Sequence, residues 1–384
     1  MVPLRYNVRS ILVRKITSMA AVLGIALVVF VFAASLMLGE GIDRALITAG
    51  RAEVAIILRK GSDAELTSGF ADQNLGLFRG PAQVSQAGGV IGEIVVVIIA
   101  KHQGDDGSSN VLVRGTPADG IAFRPEIKII RGRAPRPGTD EVMVGKAISG
   151  RFEGTDLGGK LNLRRNSPLQ VVGEFVADGS SYESEVWGDL DYIRKAVGRA
   201  NTVSSARVRL NSAAEFDAYR QLIETDKQFS VKVMREADYY AKQSKALSGL
   251  LKGLGLTVAI MFSLAAMIGA AITMNGAVAH RTREIGTLRA LGFSRFSLLL
   301  SFLFEALTLS LIGGVIGSVL VLLLSFVSFP VVNFQTFSEI VFRFRATPAV
   351  FEKALIFSGF MGLVGGLVPA IRASQISPVE AMRS

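Results

Sequence analysis

Four long apolar stretches divide the chain, at residues 16–38, 254–279, 297–329 and 354–371. A helix of about 18 or more apolar residues is long enough to cross the hydrocarbon core of a bilayer. Basic residues precede the first stretch, as in a signal peptide, but its apolar core of about 20 residues exceeds the usual ~7–15 of such peptides. The pattern therefore predicts a membrane protein with four transmembrane α-helices.

About 210 mostly polar residues separate the first two stretches, and their pattern is typical of an α+β domain. Helical spacing predicts helices at 189–198 and 213–225, and Ser212 and Glu215 have the spacing of a capping box. Helical patterns also continue out of the first span and into the second, which predicts stalk helices. Short apolar runs between turn residues predict strands at 54–58, 93–100, 111–114, 141–144, 160–163 and 169–175.

Basic residues cluster in three short segments beside the predicted spans, and this clustering predicts the topology. The two tails and residues 281–295 together hold ten Lys or Arg against two acidic residues, whereas 40–245 hold 28 basic and 27 acidic residues. Because basic loops remain in the cytoplasm, both termini and 281–295 are predicted inside and 40–245 outside. The net charge of +10 thus has a membrane explanation, and nucleic acid is not expected as a partner.

The charged segment 281–295 lies between two apolar spans and must face water. As a helix, it places Ile285, Leu288 and Leu291 on one side and leaves Arg281, Glu284 and Arg289 available to a partner. Two interpretations remain open from charge alone. The segment is either a helix that docks on a partner or an interfacial helix held by lipid headgroups.

Three motifs together resemble the MacB/FtsX-type ABC transporter permeases. They are RTREIGTLRALGFSR at 281–295 with FEA at 304–306 and IGGVIG at 312–317, the closing segment at 362–383, and RYNVRSILVR at 5–14. The external domain matches the family only loosely. The resemblance implies two permease subunits per transporter and a coupling helix at 281–292 that docks on a cytoplasmic ATPase.

Residues at the ATPase contact are expected by the same resemblance. Glu284 is the expected polar anchor, because a carboxylate can pair with a basic or amide group. ATP and Mg²⁺ are expected on the partner ATPase, and no cofactor is expected on this chain. The expected contact residues are Arg281, Arg283, Glu284, Ile285, Leu288 and Arg289.

The predicted organisation follows from the spans, the topology and the resemblance. The chain has no cysteine, so the external domain cannot rest on disulfides and needs its own core. In chain order we predict a cytoplasmic amphipathic helix (1–15), span one (16–39), an extracytoplasmic α+β domain with stalk helices (40–245), span two (246–279), a cytoplasmic coupling helix (280–295), span three (296–329), a short external loop (330–349), span four (350–372) and a cytoplasmic tail (373–384).

Polar and small residues inside the spans have a packing or a functional interpretation. Glu305 lies within span three, and ionisable groups at membrane depth are functional candidates. We favour packing through an interhelical hydrogen bond, because the resemblance gives Glu305 no chemical task. Small residues permit close helix approach. The residues predicted to pack in the membrane are Gly269, Glu305, Gly313, Gly317, Gly362 and Gly366.

Other motifs predict no site on this chain. Residues 154–161 match a phosphate-binding loop except that Leu161 lacks the hydroxyl that would hold Mg²⁺, so we interpret them as a turn. The motor is therefore expected on a separate polypeptide. His102 and His280 have no cluster of ligands near them in the sequence, which predicts no metal site. Core or interface packing is the interpretation for Tyr182, Trp187, Tyr239 and Tyr240.

These expectations favour one function over two others. The first is a permease subunit that couples ATP hydrolysis to movement of its external domain and drives export of a lipid, lipoprotein, peptide or drug by mechanotransmission. The second is a regulatory permease that activates an external enzyme, and the third, a stand-alone membrane enzyme, lacks a catalytic cluster. The expected location is the bacterial inner membrane, with a second permease subunit, a periplasmic adaptor protein and membrane lipids as partners.

Overall fold

The computed structural model describes residues 15–377, apart from 87, 88, 105, 165, 166, 227 and 334. Two compact units make up the chain. The helical unit comprises the described parts of Met1–Glu40, Leu250–Val327 and Arg343–Ser384, and the mixed unit comprises those of Gly41–Gly249 and Ser328–Phe342. The amphipathic helix predicted at 1–15 lies outside the described residues except for Lys15, and the predicted tail is described only to 377.

The secondary structure of the described residues is as follows. The helices are α1 (Lys15–Ile47), α2 (Asn74–Arg79), α3 (Leu190–Ala196), α4 (Phe216–Thr225), α5 (Glu236–His280), α6 (Thr282–Ala290), α7 (Arg295–Val321) and α8 (Pro348–Gln375). The strands are β1 (Val54–Arg59), β2 (Phe70–Ala71), β3 (Val90–Lys101), β4 (Ser108–Thr116), β5 (Lys128–Gly132), β6 (Glu141–Gly145), β7 (Lys160–Arg164), β8 (Ser167–Val176), β9 (Glu185–Asp189), β10 (Thr202–Val203), β11 (Ser205–Arg209), β12 (Val231–Arg235), β13 (Ser328–Val332) and β14 (Glu339–Arg343).

Four helical segments of the described chain are long and apolar enough to cross a membrane. They are Ser18–Ile47 in α1, Glu236–His280 in α5, Arg295–Phe326 in α7 and the turn after it, and Pro348–Gln375 in α8. α1 has 33 residues and α5 has 45, so both exceed the roughly 20 residues that a span needs. This continuity agrees with the stalk helices predicted from the helical patterns beyond the first two spans.

The third predicted span is longer than the helix that forms. α7 ends at Val321, a 3₁₀ segment covers Leu322–Phe326, and β13 begins at Ser328, whereas the prediction extended the span to 329. The sequence remains apolar through this change because β13 is itself a run of apolar residues, Ser-Phe-Pro-Val-Val. Hydropathy alone therefore could not place the helix end.

Glycines let α7 approach α1 closely within the helical unit. A Cβ atom on Gly313 would lie 2.8 Å from the backbone oxygen of Val22, and one on Gly317 would lie 3.1 Å from Cβ of Val29. Such distances are shorter than ordinary van der Waals contact, so larger residues at either position would separate the two helices. The close approach is compatible with the packing role of both glycines, which stays a prediction.

Glycines also let α8 pack closely on α7, but Gly269 on α5 has no such contact. A Cβ on Gly362 would lie 2.6 Å from Cβ of Ser310, and one on Gly366 would overlap Ala306. Gly269 is exposed on α5, and among the described residues no atom lies within 4 Å of the position its Cβ would take. The prediction that Gly269 packs inside the bundle is therefore not met within this chain, because its side of α5 faces away from the other helices.

A single large sheet organises the mixed unit. Its order among the described residues is β12-β1-β11-β3-β4-β9-β6-β8-β5, with β7 also paired to β8. The β4–β9 and β6–β8 pairs are parallel, and the other pairs in this sheet are antiparallel. All six strands predicted from the sequence lie within or overlap observed strands. The short strands β5, β9, β11 and β12 were missed because polar residues interrupt their apolar positions.

Two local predictions in the mixed unit are corrected by the structure. Ser212 precedes a 3₁₀ turn and its side chain makes no capping hydrogen bond, so the predicted capping box is wrong and α4 begins at Phe216. The loop predicted at 330–349 instead forms the β13–β14 hairpin. Its Val341 N–H donates to Ser184 Oγ at 3.0 Å, which attaches the hairpin to the mixed unit.

Candidate functional site

The charged segment forms a short helix, α6, between two long ones. Arg281 leaves helical geometry with φ −113° and ψ 14°, which separates α6 from α5. Gly292 follows α6 with φ +93°, a left-handed conformation that glycine adopts without strain and that ends helices. Ser294 then caps α7 by accepting a hydrogen bond from the Ser297 N–H at 3.2 Å. These residues define a nine-residue helix with fixed ends.

The apolar side of α6 packs on its own helical unit. Ile285 is 1% exposed and belongs to a cluster with Val278 and Phe302. Leu288 is half-buried against the same cluster. The two apolar residues therefore hold α6 in place, because burying them removes apolar surface from water.

A buried guanidinium joins the start of α6 to α7. Arg281 donates from Nε to Glu284 Oε2 at 3.1 Å and from Nη1 to Glu305 Oε2 at 3.5 Å. Its guanidinium carbon also lies 6.0 Å from the centre of the Phe302 ring. Arg281 and Glu305 are 7% and 8% exposed, whereas the Glu284 side chain is 59% exposed. One cation thus connects a buried carboxylate with an exposed one on α6.

The residues expected at an ATPase contact fall into two groups. Arg283 and Glu284 are exposed, and Arg289 is half-buried with its Nη1 donating to the Phe293 carbonyl at 3.1 Å. Arg281 and Ile285 are buried within the chain, as described above. The accessible part of the expected contact is therefore centred on Arg283 and Glu284, while Ile285 and Arg281 support the helix from beneath.

A second candidate site, in the mixed unit, was not foreseen from the sequence. Seven charged side chains lie together at the sheet, each at most 6% exposed. We call this set the buried charge cluster. Its members are Glu65, Glu93, Arg114, Arg124, Glu185, Arg207 and Glu236.

Arg114 is one centre of the buried charge cluster. It donates to Glu185 from Nε at 2.7 Å and from Nη2 at 2.9 Å, a two-pronged pairing that fixes the guanidinium plane. Its Nη1 also donates to Glu65 at 3.1 Å and to Glu93 at 3.0 Å. A single arginine on β4 thus connects three carboxylates.

Arg207 on β11 is the other centre, and it reaches the first residue of α5. It donates from Nε to Glu236 Oε1 at 2.7 Å and from Nη1 to Glu65 Oε1 at 2.9 Å, and Nη1 also contacts Glu93. The Glu236 carboxylate accepts the backbone N–H of Arg51 at 3.3 Å. Arg51 lies just after α1, so the cluster connects the end of α1, the start of α5 and the sheet.

Aromatic side chains enclose the buried charge cluster. The Arg124 guanidinium carbon lies 5.1 Å from the ring centres of both Tyr182 and Trp187. The Tyr182 hydroxyl donates to the Ala49 carbonyl at 3.3 Å. Tyr239 and Tyr240 are also buried, and the Tyr239 hydroxyl accepts the Glu65 N–H at 3.3 Å. The prediction that these four aromatic residues serve packing is confirmed.

Burial by itself raises the pKa of a carboxyl group, and it prevails at Glu236, whose pKa is raised despite the nearby Arg207. At Glu65 and Glu93 the arginines of the cluster reverse that effect. Burial is the largest influence on Glu93, yet three neighbouring arginines lower its pKa to about 2. Burial is outweighed in the same way at Glu65, where Arg114 and Arg207 hold the carboxyl pKa well below its usual value. The two glutamates therefore remain ionised at neutral pH.

These lowered pKa values predict acid sensitivity of the mixed unit. A carboxyl whose folded pKa is depressed stabilises the fold above its unfolded pKa and loses that contribution as the pH falls through the folded pKa. For Glu93 this window runs from about 4.5 down to about 2. We expect the free energy of unfolding to fall across it, as monitored by fluorescence of the single tryptophan, Trp187. Stability that stays constant across this window would contradict the assignment.

The remaining motifs form a turn and an aromatic stack. Gly154 and Gly158 have φ of +78° and +86°, so the phosphate-loop-like residues form turns before β7. His102 stacks on Phe152 with ring centres 4.9 Å apart. In the described part of the chain no three His, Cys, Asp or Glu residues are placed to hold a metal ion.

Two family models cover most of the chain. The MacB-like periplasmic core domain matches residues 18–226, and the FtsX-like permease C-terminal domain matches 256–378. Four apolar helices and a large mixed unit between the first two define a membrane-embedded protein of the transporter-permease class. The chain belongs to the MacB/FtsX-type ABC transporter permeases.

Similar proteins include fused exporters and a permease. The macrolide export ATP-binding/permease protein MacB of Nitrosomonas europaea is 26% identical over 398 positions, which cover 96% of this chain and 56% of that one. The pyoverdine export ATP-binding/permease protein PvdT of Pseudomonas entomophila is 29% identical, covering 64% and 38%. The ABC transporter permease YvrN of Bacillus subtilis is 40% identical over 106 positions, covering 28% and 24%. The chain thus spans about half the length of the MacB relative and a smaller share of the other two.

Solved structures of external domains also align with part of the chain. The periplasmic region of MacB from Actinobacillus actinomycetemcomitans aligns with a TM-score of 0.37 at 13% identity, covering 50% of this chain and 92% of that one. The extracellular domain of the transporter YknZ from Gram-positive bacteria aligns with a TM-score of 0.37 at 17% identity, covering 47% and 99%.

Proposed function

We propose that this chain couples ATP hydrolysis by a separate ATPase subunit to movement of its mixed unit, and so drives export of a lipid, lipoprotein, peptide or drug. In this proposal α6 docks on the ATPase in the cytoplasm, and the mixed unit lies on the opposite side of the membrane. The relatives named for macrolide and pyoverdine export support export as the activity. The helices transmit this movement, and the substrate does not pass through a pore along the membrane axis.

The position of α6 is the single observation that carries the proposal. A partner that presses on exposed Glu284 would act on Arg281 and, through it, on Glu305 within α7. Because Ile285 is packed into the helical unit, α6 cannot shift without moving its neighbours. A push on α6 is therefore passed to the apolar helices.

The buried charge cluster supports transmission of this movement into the sheet, at the end of α1 and the start of α5. Glu236 opens α5, and its carboxylate accepts hydrogen bonds from Arg207 in the sheet and from the backbone of Arg51 after α1. Two long helices thus end at one rigid set of ion pairs within the mixed unit. Such a junction moves the sheet when either helix end moves, because a close-packed interior transmits displacement.

Charge supports the proposed topology and location. The basic excess beside the spans favours both termini and α6 in the cytoplasm of a bacterium, with the chain in the inner membrane. A second permease subunit, an adaptor protein and membrane lipids complete the proposed assembly. A regulatory permease that activates an external enzyme is the alternative, and it shares the same α6 contact.

The α6 contact is tested by removing its exposed charges. We expect Arg283→Ala together with Glu284→Ala to lower co-purification of the ATPase about tenfold or more, because a charge-assisted contact contributes about 1.5–3 kcal/mol. The measurement is the ATPase-to-permease ratio after mild detergent extraction, with both subunits expressed together. The protein should remain inserted and folded, since both side chains are exposed.

A matched control replaces another exposed charge pair. Lys242→Ala with Asp63→Ala removes a surface pair in the mixed unit, whose Nζ–Oδ1 distance is 3.5 Å, and should leave the ATPase yield unchanged. Wild-type ATPase yield in the α6 double variant would refute the docking assignment. Identification by mass of a transported molecule or of a bound external enzyme separates export from regulation.

A further inference from the structure

The large sheet of the mixed unit ends at β5, which has no neighbour on its outer side among the described strands. β6 pairs with one side of β8, so β5 and β7, which also pair with β8, share its other side. Four of the five residues of β5 are exposed. An edge strand directs alternate backbone N–H and C=O groups away from its sheet, so β5 offers these groups to another chain.

Basic side chains border this edge. Residues 127–139 contain four basic residues and no acidic one. Arg131 pairs with Glu174 at 3.3 Å, and two further arginines share Glu141 at 2.6 and 2.7 Å. Both carboxylates are buried, whereas the three arginine side chains are 47–70% exposed, so the surface presents the cations. The four basic residues are Lys128, Arg131, Arg133 and Arg136.

The cations at this end of the sheet exceed the carboxylates that pair with them. Lys128 on β5 and Lys160 and Arg164 on β7 are exposed, and none of them forms an ion pair in the part of the chain that the structure describes. β5, β7 and the turn after β5 thus carry six cations and no acidic residue, and two buried carboxylates elsewhere compensate three of the cations. Charge complementarity therefore favours an acidic partner.

Two exposed apolar side chains distinguish this edge from one that only repels other strands. Charged residues on an edge strand commonly prevent pairing. Ile130, however, is 44% exposed and is the extra residue of a β-bulge, a feature that re-aims side chains. Leu157 is 42% exposed, and a Cβ on Gly132 would lie 2.9 Å from its Cδ1 atom. A partner that covers both would remove apolar surface from water. We call this surface the basic edge, and its members are Lys128, Ile130, Arg131, Arg133, Arg136 and Leu157.

We propose that the basic edge binds an extended acidic segment of a partner protein, which adds to the sheet as a strand beside β5. The paired stretch covers about five residues, or roughly 17 Å. Backbone hydrogen bonds to β5 hold the segment, its alternate carboxylates select the cations, and its apolar residues cover Ile130 and Leu157. As the docking site of an adaptor protein the basic edge rests on the proposed function, whereas its affinity for an acidic strand does not.

Binding is tested on the full chain in phosphatidylcholine nanodiscs without any ATPase, so that its outcome is separate from that of the α6 contact. The probe is a seven-residue peptide of alternating glutamate and valine with blocked ends and a neutral dye, and fluorescence anisotropy gives its Kd. We expect saturable binding, and binding at least about tenfold weaker when lysine replaces glutamate. The same acidic peptide with N-methylated valines keeps its charge but loses backbone donors, and we expect it to bind at least about tenfold more weakly.

Hydrogen exchange locates the peptide on the sheet. Backbone amides that pair with an added strand exchange more slowly, so the acidic peptide should protect residues 128–132. β12, at Val231–Arg235, is the strand at the opposite end of the sheet and provides an internal control that should not change. Protection of β12 in place of β5 would contradict the assignment.

A double variant removes the charge and the apolar contact together. Lys128→Glu with Ile130→Asp should weaken peptide binding at least about tenfold, because both side chains are exposed and the new carboxylates repel the peptide. The matched control, Lys60→Glu with Leu222→Asp, makes the same change in charge at two exposed positions outside the basic edge. Its Kd should stay within about twofold of wild type.

Three results would overturn the proposal. Absence of peptide binding to the wild-type chain excludes the site, and equal binding of the N-methylated peptide shows attraction by charge without strand addition. Binding to phosphatidylglycerol vesicles that the double variant loses, without peptide protection of residues 128–132, would assign the basic edge to anionic lipid. If the double variant does not fold, the N-methylated peptide decides the question on the wild-type chain.

Discussion

Arg207→Met is expected to destabilise the mixed unit by about 3–5 kcal/mol, the usual cost of removing one partner from a buried ion pair. Arg207 is fully buried and serves three carboxylates, including Glu236 at 2.7 Å and Glu65 at 2.9 Å. Methionine preserves much of the side-chain volume but removes the charge, so the glutamates remain buried with less compensation. Denaturant unfolding followed by Trp187 fluorescence measures the loss, because this single tryptophan lies in the same unit.

Two further variants make this result specific. Arg220→Ala removes an exposed pair with Glu224 and should cost no more than about 0.5 kcal/mol. Adding Glu65→Gln to Arg207→Met lowers the uncompensated negative charge and should recover part of the stability. An Arg207→Met protein within about 1 kcal/mol of wild type would show that the buried charge cluster does not stabilise the fold.

The mixed unit shows where the sequence was informative and where it was not. Strand positions such as 93–100 and 111–114 were predictable because apolar residues alternate or run between turn signals. The charge cluster was not, because its members are spread from Glu65 to Glu236 and meet only through sheet order. The available signal was local: Arg207 and Arg114 interrupt apolar strands, where an unpaired charge would be too costly to bury. That signal indicates a partner without identifying it.

The helical unit was predicted more fully, since hydropathy and charge act locally along the chain. The α6 segment was located by charge between two apolar runs, and its apolar spacing correctly gave Ile285 a buried side. The same spacing was wrong for Leu291, which is 72% exposed because α6 ends at Ala290. The burial of Arg281 could not be foreseen, because Glu305 pairs with it from 24 residues away across a helix contact. For Glu305, the favoured packing interpretation is compatible with this interhelical hydrogen bond.

Arg281→Met is expected to uncouple α6 from α7 and to abolish most ATPase association, a loss of at least about tenfold. The substitution takes the guanidinium at 3.5 Å away from Glu305, which is 8% exposed, and weaker compensation of a charge at this depth costs several kcal/mol. Glu284 also loses its 3.1 Å partner at the start of α6. Co-purification of the ATPase and protease accessibility of residues 281–295 measure the two effects separately.

The double variant Arg281→Met with Glu305→Gln shows whether the defect of Arg281→Met comes from the lost charge or from the changed shape of the side chain. Because the glutamine carries no charge, the cost of burial falls, and α6 should regain its protease protection and part of its ATPase association. The two single variants should each be more defective than the pair, which gives a coupling energy of about 1 kcal/mol or more. Equal defects in the single and double variants would mean that Arg281 acts on the ATPase directly, and that the path from α6 to Glu305 does not carry the movement.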